Sequence, residues 1–221
     1  DAFIGKQKDS AKPFFLYLPL YNVHTPIQPY PELLKRAEAR KKGKQHSNPK
    51  YASMVEAMDK YLGRLFDSLE THGVADKTIV VFTSDNGGHG GMTDQHPLRG
   101  SKGMFYEGGI RVPLVVRAPG LDGGEVADRV VTGADYYATI EELLGMPEEA
   151  AASFEDEPPH EELGPVDSES FAAALRGYPA ARRPAFWHYP HYGNQGGRPG
   201  SVMRDGDWKL IEWYGPTQAD S

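Results

Sequence analysis

No cysteine occurs among the 221 residues. That excludes a disulfide scaffold, a zinc ribbon, an iron–sulfur cluster and a thiol nucleophile. It leaves the compartment open, because a large domain holds together without disulfides. No stretch of about 18 consecutive apolar residues is present, so no membrane-spanning helix is expected. There is no collagen-like period, low-complexity tract or internal repeat. A serine-hydrolase Gly-x-Ser-x-Gly elbow and a zinc-protease His-Glu-x-x-His spacing are missing as well. The first residue is Asp1 rather than Met, and the given residues do not open on a charged-then-apolar leader, so a removed or longer upstream segment is expected. What is plentiful is glycine, 25 residues, and proline, 18, alongside 39% apolar residues. These describe a loop-rich globular chain, long enough for one sizeable domain or two small ones.

The net charge of −7 is unevenly spread. Residues 122–170 hold fifteen acids against the single base Arg129, while bases outnumber acids elsewhere. Glu148-Glu149, Glu155-Asp156-Glu157 and Glu161-Glu162 flank Pro158-Pro159, the composition of an exposed connector. A basic cluster at Lys35, Arg36, Arg40, Lys41, Lys42 and Lys44 carries no interleaved aromatic. It reads as a solvated helix end and loop rather than a nucleic-acid stripe, and no nucleic-acid partner is expected.

Phe14-Phe15-Leu16-Tyr17-Leu18 is a short apolar run halted by Pro19, which predicts a buried strand. The proline-rich segment after it, from Asn22 through Pro31, predicts a structured loop. Met54, Val55, Met58, Tyr61, Leu62, Leu65, Phe66 and Leu69 recur at helical spacing, with Asn48 as cap, Pro49 at the first position and Gly73 as terminator. Thr78 to Thr83 is an unbroken β-branched run suited to a parallel sheet buried on both faces, so strand, helix and strand suggest a right-handed βαβ unit. Further expectations are a loop over 85–109, a strand over 111–117 and a helix over 135–144 ended by Gly145. Then follow a short helix over 168–176, a strand over 184–189 and a hairpin over 201–214 turning at Asp205-Gly206. The fold class is therefore α/β: a mainly parallel sheet between helices over 1–145, an acidic connector over 146–170, and part of a small antiparallel C-terminal sheet in an α+β subdomain over 171–221.

In open α/β sheets ligands sit outside the carboxyl ends of the strands, where Asp85-Asn86-Gly87-Gly88 stands. An Asp carboxylate beside an Asn carbonyl offers hard oxygen donors for Ca²⁺ or Mg²⁺, although Asn-Gly is also a common turn dipeptide. Lys102, in Arg99-Gly-Ser-Lys-Gly103, is a glycine-flanked point charge able to reach an anionic oxygen. His24, in the loop after the first run, reads either as a structural hydrogen-bonder or as a group of the same sheet edge.

Together, Pro13-Phe-Phe-Leu-Tyr-Leu-Pro-Leu-Tyr-Asn-Val-His24-Thr-Pro-Ile27, Thr83-Ser-Asp-Asn-Gly-Gly88 and Leu98-Arg-Gly-Ser-Lys-Gly-Met-Phe-Tyr-Glu-Gly-Gly-Ile-Arg-Val-Pro113 resemble the sulfatases. These are the formylglycine-dependent type I enzymes of the alkaline-phosphatase superfamily, and the resemblance is to arylsulfatase A-like and N-acetylgalactosamine-6-sulfatase-like members. Trp187-His-Tyr-Pro-His191 and Arg204-Asp-Gly-Asp-Trp-Lys-Leu210 are similar to that family's C-terminal region. The resemblance implies a sulfuric ester hydrolase acting on a sulfated carbohydrate. By it, Asp85 and Asn86 form half of a divalent metal site, usually calcium. Lys102 binds the sulfate and protonates the leaving oxygen, and His24 hydrogen-bonds the sulfate ester. Glu107, Gly108, Gly109 and Arg111 become scaffolding of the site. His188, His191, Asn194 and Arg198 are candidates to face the substrate or to pack and turn. The resemblance also implies export to the periplasm or the outside.

The family makes its formylglycine from Cys or Ser in a Cys/Ser-x-Pro/Ala-x-Arg sequence. The nearest serine here, in Ser47-Asn-Pro-Lys-Tyr51, has Tyr in place of Arg and lies well after His24. The family's opening Asp-Asp metal ligands, and the Lys and His that follow the nucleophile, have no counterpart either. The expectation is a middle-to-C-terminal portion of a longer sulfatase, whose partner is the missing N-terminal half of the catalytic domain, and which is inactive by itself. Two other readings remain: a phosphodiesterase or phosphonate hydrolase of the same superfamily, or a non-catalytic anion-binding module.

Overall fold

The computed structural model describes residues 1–10, 12–146, 168–179 and 181–215. In chain order the elements are α1 (Ala2–Gln7), α2 (Pro31–Ala39), α3 (Pro49–Thr71), a 3₁₀ turn (Ala75–Lys77), β1 (Val80–Thr83), α4 (Glu107–Ile110), β2 (Leu114–Arg117), α5 (Asp135–Leu144), α6 (Ala172–Leu175), β3 (Ala185–Tyr189), β4 (Gly200–Asp205) and β5 (Trp208–Trp213). The architecture is mixed α/β, as the residue pattern implies. Two compact units divide the chain: Asp1–Val115 with Tyr192–Gly197, and Val116–His191 with Arg198–Ser221. Most of the acidic connector lies outside the described residues. No described helix is long and apolar enough to cross a membrane.

In the first unit α3 forms where its apolar stripe and its end signals agree. The Asn48 side chain accepts from the N–H groups of Lys50 and Tyr51 at 3.1 and 3.2 Å, satisfying donors that a helix N-terminus leaves open. At the other end Gly73 takes φ 66°, and the Val74 N–H returns to the Leu69 carbonyl at 3.0 Å. The stripe buries Met54, Ala57 and Leu69. Ile4 of α1, Leu69 and Ala75 make a small core, with Phe14, Leu65, Val74 and Val80 packed around it. Asp1 ties α1 to α3 by accepting from Ser68 Oγ at 3.0 Å and His72 Nε2 at 2.8 Å. Helix α2 begins at Pro31, where a missing N–H costs nothing. It is clamped to α3 by Arg36 and Arg40 on Glu56, at 2.9 and 3.1 Å.

The run 14–18 departs from expectation. It is not a strand, and Phe15 and Tyr17 are 80% and 77% exposed. An extended apolar segment becomes a strand only when a neighbour takes its N–H and C=O groups, and no described strand lies against it. The strand–helix–strand unit therefore reduces to α3 followed by β1, which pairs with β2.

In the second unit β3, β4 and β5 form an antiparallel sheet in that order. Phe186, Met203 and Leu210 share one cross-strand row and His188, Ser201 and Glu212 the next on the same face, while Trp187, Val202 and Ile211 line the other. The pairing of Asp205 with Trp208 makes the hairpin connection Gly206-Asp207, one residue later than expected, and Gly206 supplies φ 57°. Helix α5 ends on Gly145 at φ 65°, as its sequence signals. Its first residue, Asp135, is 1% exposed. Burial alone would raise its carboxyl pKa. Four hydrogen bonds outweigh that and hold it below the usual carboxylate range: Thr132 N–H at 2.7 Å, Arg183 Nη1 at 2.6 Å, Glu169 N–H at 3.0 Å and Thr132 Oγ1 at 3.0 Å. Thr139 extends the lock, donating to the Asp135 carbonyl at 2.7 Å and accepting from the Phe171 N–H at 3.0 Å.

Candidate functional site

Strand β1 runs out at Thr83 into the turn Ser84-Asp85-Asn86-Gly87-Gly88. Ser84 Oγ donates to the Asn86 carbonyl at 3.1 Å, folding the turn on itself. The Gly87 N–H donates to the Gly109 carbonyl at 2.9 Å, and a Cβ on Gly87 would stand 1.9 Å from the Gly108 carbonyl oxygen. The turn can approach α4 this closely only because Gly87 has no side chain. Gly88 is held on both sides: its N–H donates to Gln95 Oε1 at 3.3 Å and its carbonyl accepts from the Lys102 N–H at 2.9 Å. Asp85 and Asn86 are thus displayed by a turn welded to the loop that carries Lys102. Asp85 is exposed, and its carboxylate has no hydrogen bond or ion pair among the described residues.

Lys102 Nζ donates to His24 Nε2 at 3.3 Å. The His24 Nδ1 faces the Thr25 carbonyl at 2.8 Å. A carbonyl only accepts, so Nδ1 carries the ring proton and Nε2 presents a lone pair to the ammonium. The ring is further placed by a T-shaped contact with Tyr21, centroids 5.8 Å apart, and by the His24 N–H donating to the Tyr21 carbonyl at 3.0 Å. Lys102 keeps two more N–H bonds, and no carboxylate pairs with it among the described residues. An ammonium whose neighbour turns a ring lone pair to it, and no negative charge, is an anion-receptive group.

Asn194 belongs to this unit as well. Its segment, Tyr192–Gly197, closes on itself through the Gly193 N–H to the Gly197 carbonyl at 3.3 Å and presses on the lysine loop. Substituting a Cβ at Gly197 would place it 2.0 Å from the Gly103 carbonyl oxygen, and one at Gly103 would come 2.8 Å from Gln195 Cβ. The remaining candidates lie in the second unit. His188 Nδ1 meets Ser201 Oγ at 2.8 Å and Tyr214 Oη at 3.3 Å. His191 packs edge-on to Tyr189, with centroids 5.2 Å apart. The Arg198 guanidinium lies 4.3 Å over the Trp213 ring. All three therefore have packing partners of their own.

The residue pattern did not point to Gln95 or Gln195. Gln95 acts through a tertiary hydrogen bond to Gly88 and Gln195 stands beside Gly103, and neither stands in a motif or a periodic face that could have revealed it. No group of three or more His, Cys, Asp or Glu among the described residues could hold a metal ion. Any cation at Asp85 and Asn86 would therefore draw on two oxygen donors from this turn.

Residues 1–146 match the family model described as Sulfatase. The chain belongs to the sulfatase family. It is 34% identical over 220 residues to a sulfatase of Formosa agariphila, an alignment covering 92% of this chain and 38% of that protein. It is 29% identical over 165 residues to an N-acetylgalactosamine-6-O-sulfatase of Bacteroides thetaiotaomicron, covering 68% of this chain and 30% of that one. The crystal structure of Ps i-CgsB in complex with k-i-k-neocarrahexaose superposes with a TM-score of 0.74 at 27% identity, over 96% of this chain and 44% of the other. The sulfatase fold, of the alkaline-phosphatase-like α/β class, is thereby shown. This sulfatase chain spans under half the length of each of these three proteins. Sulfatases are generally metal-dependent hydrolases.

Proposed function

We propose that the whole protein hydrolyses the sulfate ester of a carbohydrate, and that this chain supplies the sulfate-binding pair and part of a cation site. The observation that carries the reading is the contact of Lys102 Nζ with His24 Nε2 at 3.3 Å, on a loop whose main chain is bonded to the Asp85-Asn86 turn. Hydrolysis of a sulfate monoester develops charge on the sulfur-bound oxygens and on the leaving alcohol oxygen, so preorganised cationic donors stabilise its transition state. Lys102 has two N–H bonds to give to sulfate oxygens while the third stays on His24, and the same ammonium is assigned as proton donor to the leaving oxygen. His24 orients it.

Asp85 and Asn86 fit a hard divalent ion by their chemistry, one unpaired carboxylate beside one amide oxygen, and Ca²⁺ suits them best, with Mg²⁺ as the smaller substitute. Such an ion takes about six to eight oxygens, so these two residues are part of its shell. It would neutralise charge on the bound ester. The nucleophile of this chemistry, a formylglycine, is assigned outside this chain. Ser47, the nearest serine by motif, precedes the Asn48 cap of α3 and has Tyr51 in the position an Arg would take.

Agreement with carbohydrate sulfatases supports the substrate class: the Bacteroides relative is named for N-acetylgalactosamine-6-O-sulfate chemistry, and the Ps i-CgsB structure holds a neocarrahexaose. The test is turnover by the whole protein on a sulfated oligosaccharide and on 4-nitrophenyl sulfate, set against bis(4-nitrophenyl) phosphate. Sulfate ester cleavage is expected to exceed phosphodiester cleavage, and the 221-residue chain alone is expected to show none. A preference for the phosphodiester would overturn the assignment.

A further inference from the structure

We propose that segment 40–44, with the hollow it lines against the start of α3, is a docking surface for the further sulfate groups of a polymeric, polysulfated saccharide. It lies outside the Lys102–His24 pair, and as a substrate surface it rests on the sulfate-ester reading above. Between positions 35 and 50 stand seven basic residues and one acid, Glu38, in a chain whose net charge is −7. Arg36 and Arg40 are committed to Glu56. Lys41, Lys42 and Lys44 are exposed, with no hydrogen bond or ion pair among the described residues. Exposed charges of one sign repel one another, an arrangement that a bound polyanion relieves.

The hollow is lined by Arg40, Lys41, Lys42, His46, Ser47 and Asn48. Its attraction for anions does not come from the helix terminus, because the Lys50 and Tyr51 N–H groups already end on the Asn48 side chain. It comes from the lysines. The hollow is also joined to the loop that follows the Asp85-Asn86 turn. Thr93 Oγ1 lies 3.3 Å from His46 Nδ1, and Asn48 Nδ2 donates to Met92 Sδ at 3.5 Å. That loop also carries Gln95, which holds Gly88. Lys102 and the lysine segment thus belong to one connected set of loops.

Sulfated saccharide fits better than nucleic acid. Residues 40–50 contain no Phe, Tyr or Trp, the side chains on which successive bases stack best, whereas the hydrated point charges of lysine suit isolated sulfate groups on a sugar chain.

The experiment measures binding of labelled heparin to the whole protein by fluorescence anisotropy at several salt concentrations, with hyaluronan and oligo-dT as comparison probes. The variants are K41A/K42A/K44A and K41R/K42R/K44R. We expect heparin to bind more tightly than hyaluronan, which bears carboxylates but no sulfate, and binding to weaken with salt as counterions are released. The alanine variant should bind heparin about tenfold or more weakly, with a shallower salt dependence and an unchanged unfolding temperature, and the arginine variant should bind as the native protein does. Undiminished heparin binding by the alanine variant would overturn the proposal. So would equal affinity for hyaluronan, tighter binding of oligo-dT, or loss of binding in the arginine variant. Lysine-dependent heparin binding in a protein that turns over no sulfate ester would refute the activity and leave a polysulfate-binding surface. Turnover without lysine-dependent binding would refute the surface alone.

Discussion

The main-chain N–H of Lys102 donates to the carbonyl of Gly88 at 2.9 Å. This bond sets the spacing of the candidate site. Gly88 closes the turn that displays Asp85 and Asn86, so the cation-binding and anion-binding side chains are referenced to one backbone contact rather than to two independent loops. Gly87 lets the turn meet α4 main chain to main chain, and Gly108 and Gly109 let α4 meet the 99–104 segment in the same way.

The tightness of that meeting yields a contrast between two glycines. A Cβ on Gly87 would stand 1.9 Å from a backbone oxygen, whereas one on Gly63, in the middle of α3, has nothing within 4 Å. Gly87→Ala must displace backbone and is expected to destabilise by about 2 kcal/mol or more. Gly63→Ala removes helix-interior flexibility and is expected to stabilise by about 0.5–1 kcal/mol. Urea unfolding midpoints of the whole protein measure both, and equal shifts for the two would contradict the packing described.

Asp135 gives a pH dependence with a definite sign. Its folded pKa lies below the unfolded value of about 3.9, so the native state binds its proton less readily than the unfolded chain. The stabilisation is complete above about pH 5 and is lost as the pH falls through the lower, folded pKa. Asp135→Ala takes the 2.6 Å partner from Arg183 and leaves the Thr132 and Glu169 N–H groups short of an acceptor. A loss of about 3 kcal/mol is expected at neutral pH, shrinking towards acid. Denaturant unfolding at pH 7 and at pH 3 checks it; a native-minus-variant difference independent of pH would rule the carboxylate lock out.

How much of this was readable in the residues follows from which interactions are local. Helices α3 and α5 were legible because spacing, Asn48, Pro49, Gly73 and Gly145 act within a few residues of one another. The hairpin was legible through Asp-Gly, and the one-residue shift to Gly206-Asp207 reflects register, which depends on β3 and β4 as well. The 14–18 run was misread as a buried strand because strand formation depends on a partner, which local composition does not encode. Helix α2 was half legible: Pro31 looked like a breaker and is instead a first-turn residue. In the site, Asp85, Asn86, Lys102 and His24 stood out by type and motif. The contact between Lys102 and His24 joins residues 78 positions apart, and the hydrogen bond from Gly88 to Gln95 leaves no local trace.

The Asp85 carboxylate, unpaired among the described residues, makes a claim about calcium. If Asp85 and Asn86 are cation ligands, Asp85→Asn keeps the shape and removes the charge, and a hard cation loses its strongest donor in the turn. Calorimetric titration of the chelator-treated whole protein with Ca²⁺ is expected to show about tenfold or more weaker binding for the variant. Unchanged affinity would remove Asp85 from the coordination shell and leave the turn a structural one.

The sharpest prediction concerns Lys102. Its ammonium is positioned by the Gly88 bond through the main chain and by His24 Nε2 at the side chain, so truncation deletes the charge without disturbing the backbone anchor. For Lys102→Ala in the whole protein, kcat on a sulfated oligosaccharide is expected to fall about 10²- to 10³-fold, the scale of losing one preorganised donor to a developing negative charge. Lys102→Arg keeps the charge but replaces a compact ammonium, with three rotatable donors, by a planar fork. Its length disturbs the 3.3 Å contact with His24, so it is expected to recover only part of the loss. The division of the effect is diagnostic. A group that acts mainly on transition-state charge lowers kcat and kcat/KM together, whereas one that only gathers substrate raises KM and spares kcat. A decrease in kcat of less than about tenfold, equivalent to about 1.4 kcal/mol, with the defect confined to KM, would reduce Lys102 to a binding residue. The leaving-oxygen protonation assigned to it would then need another donor.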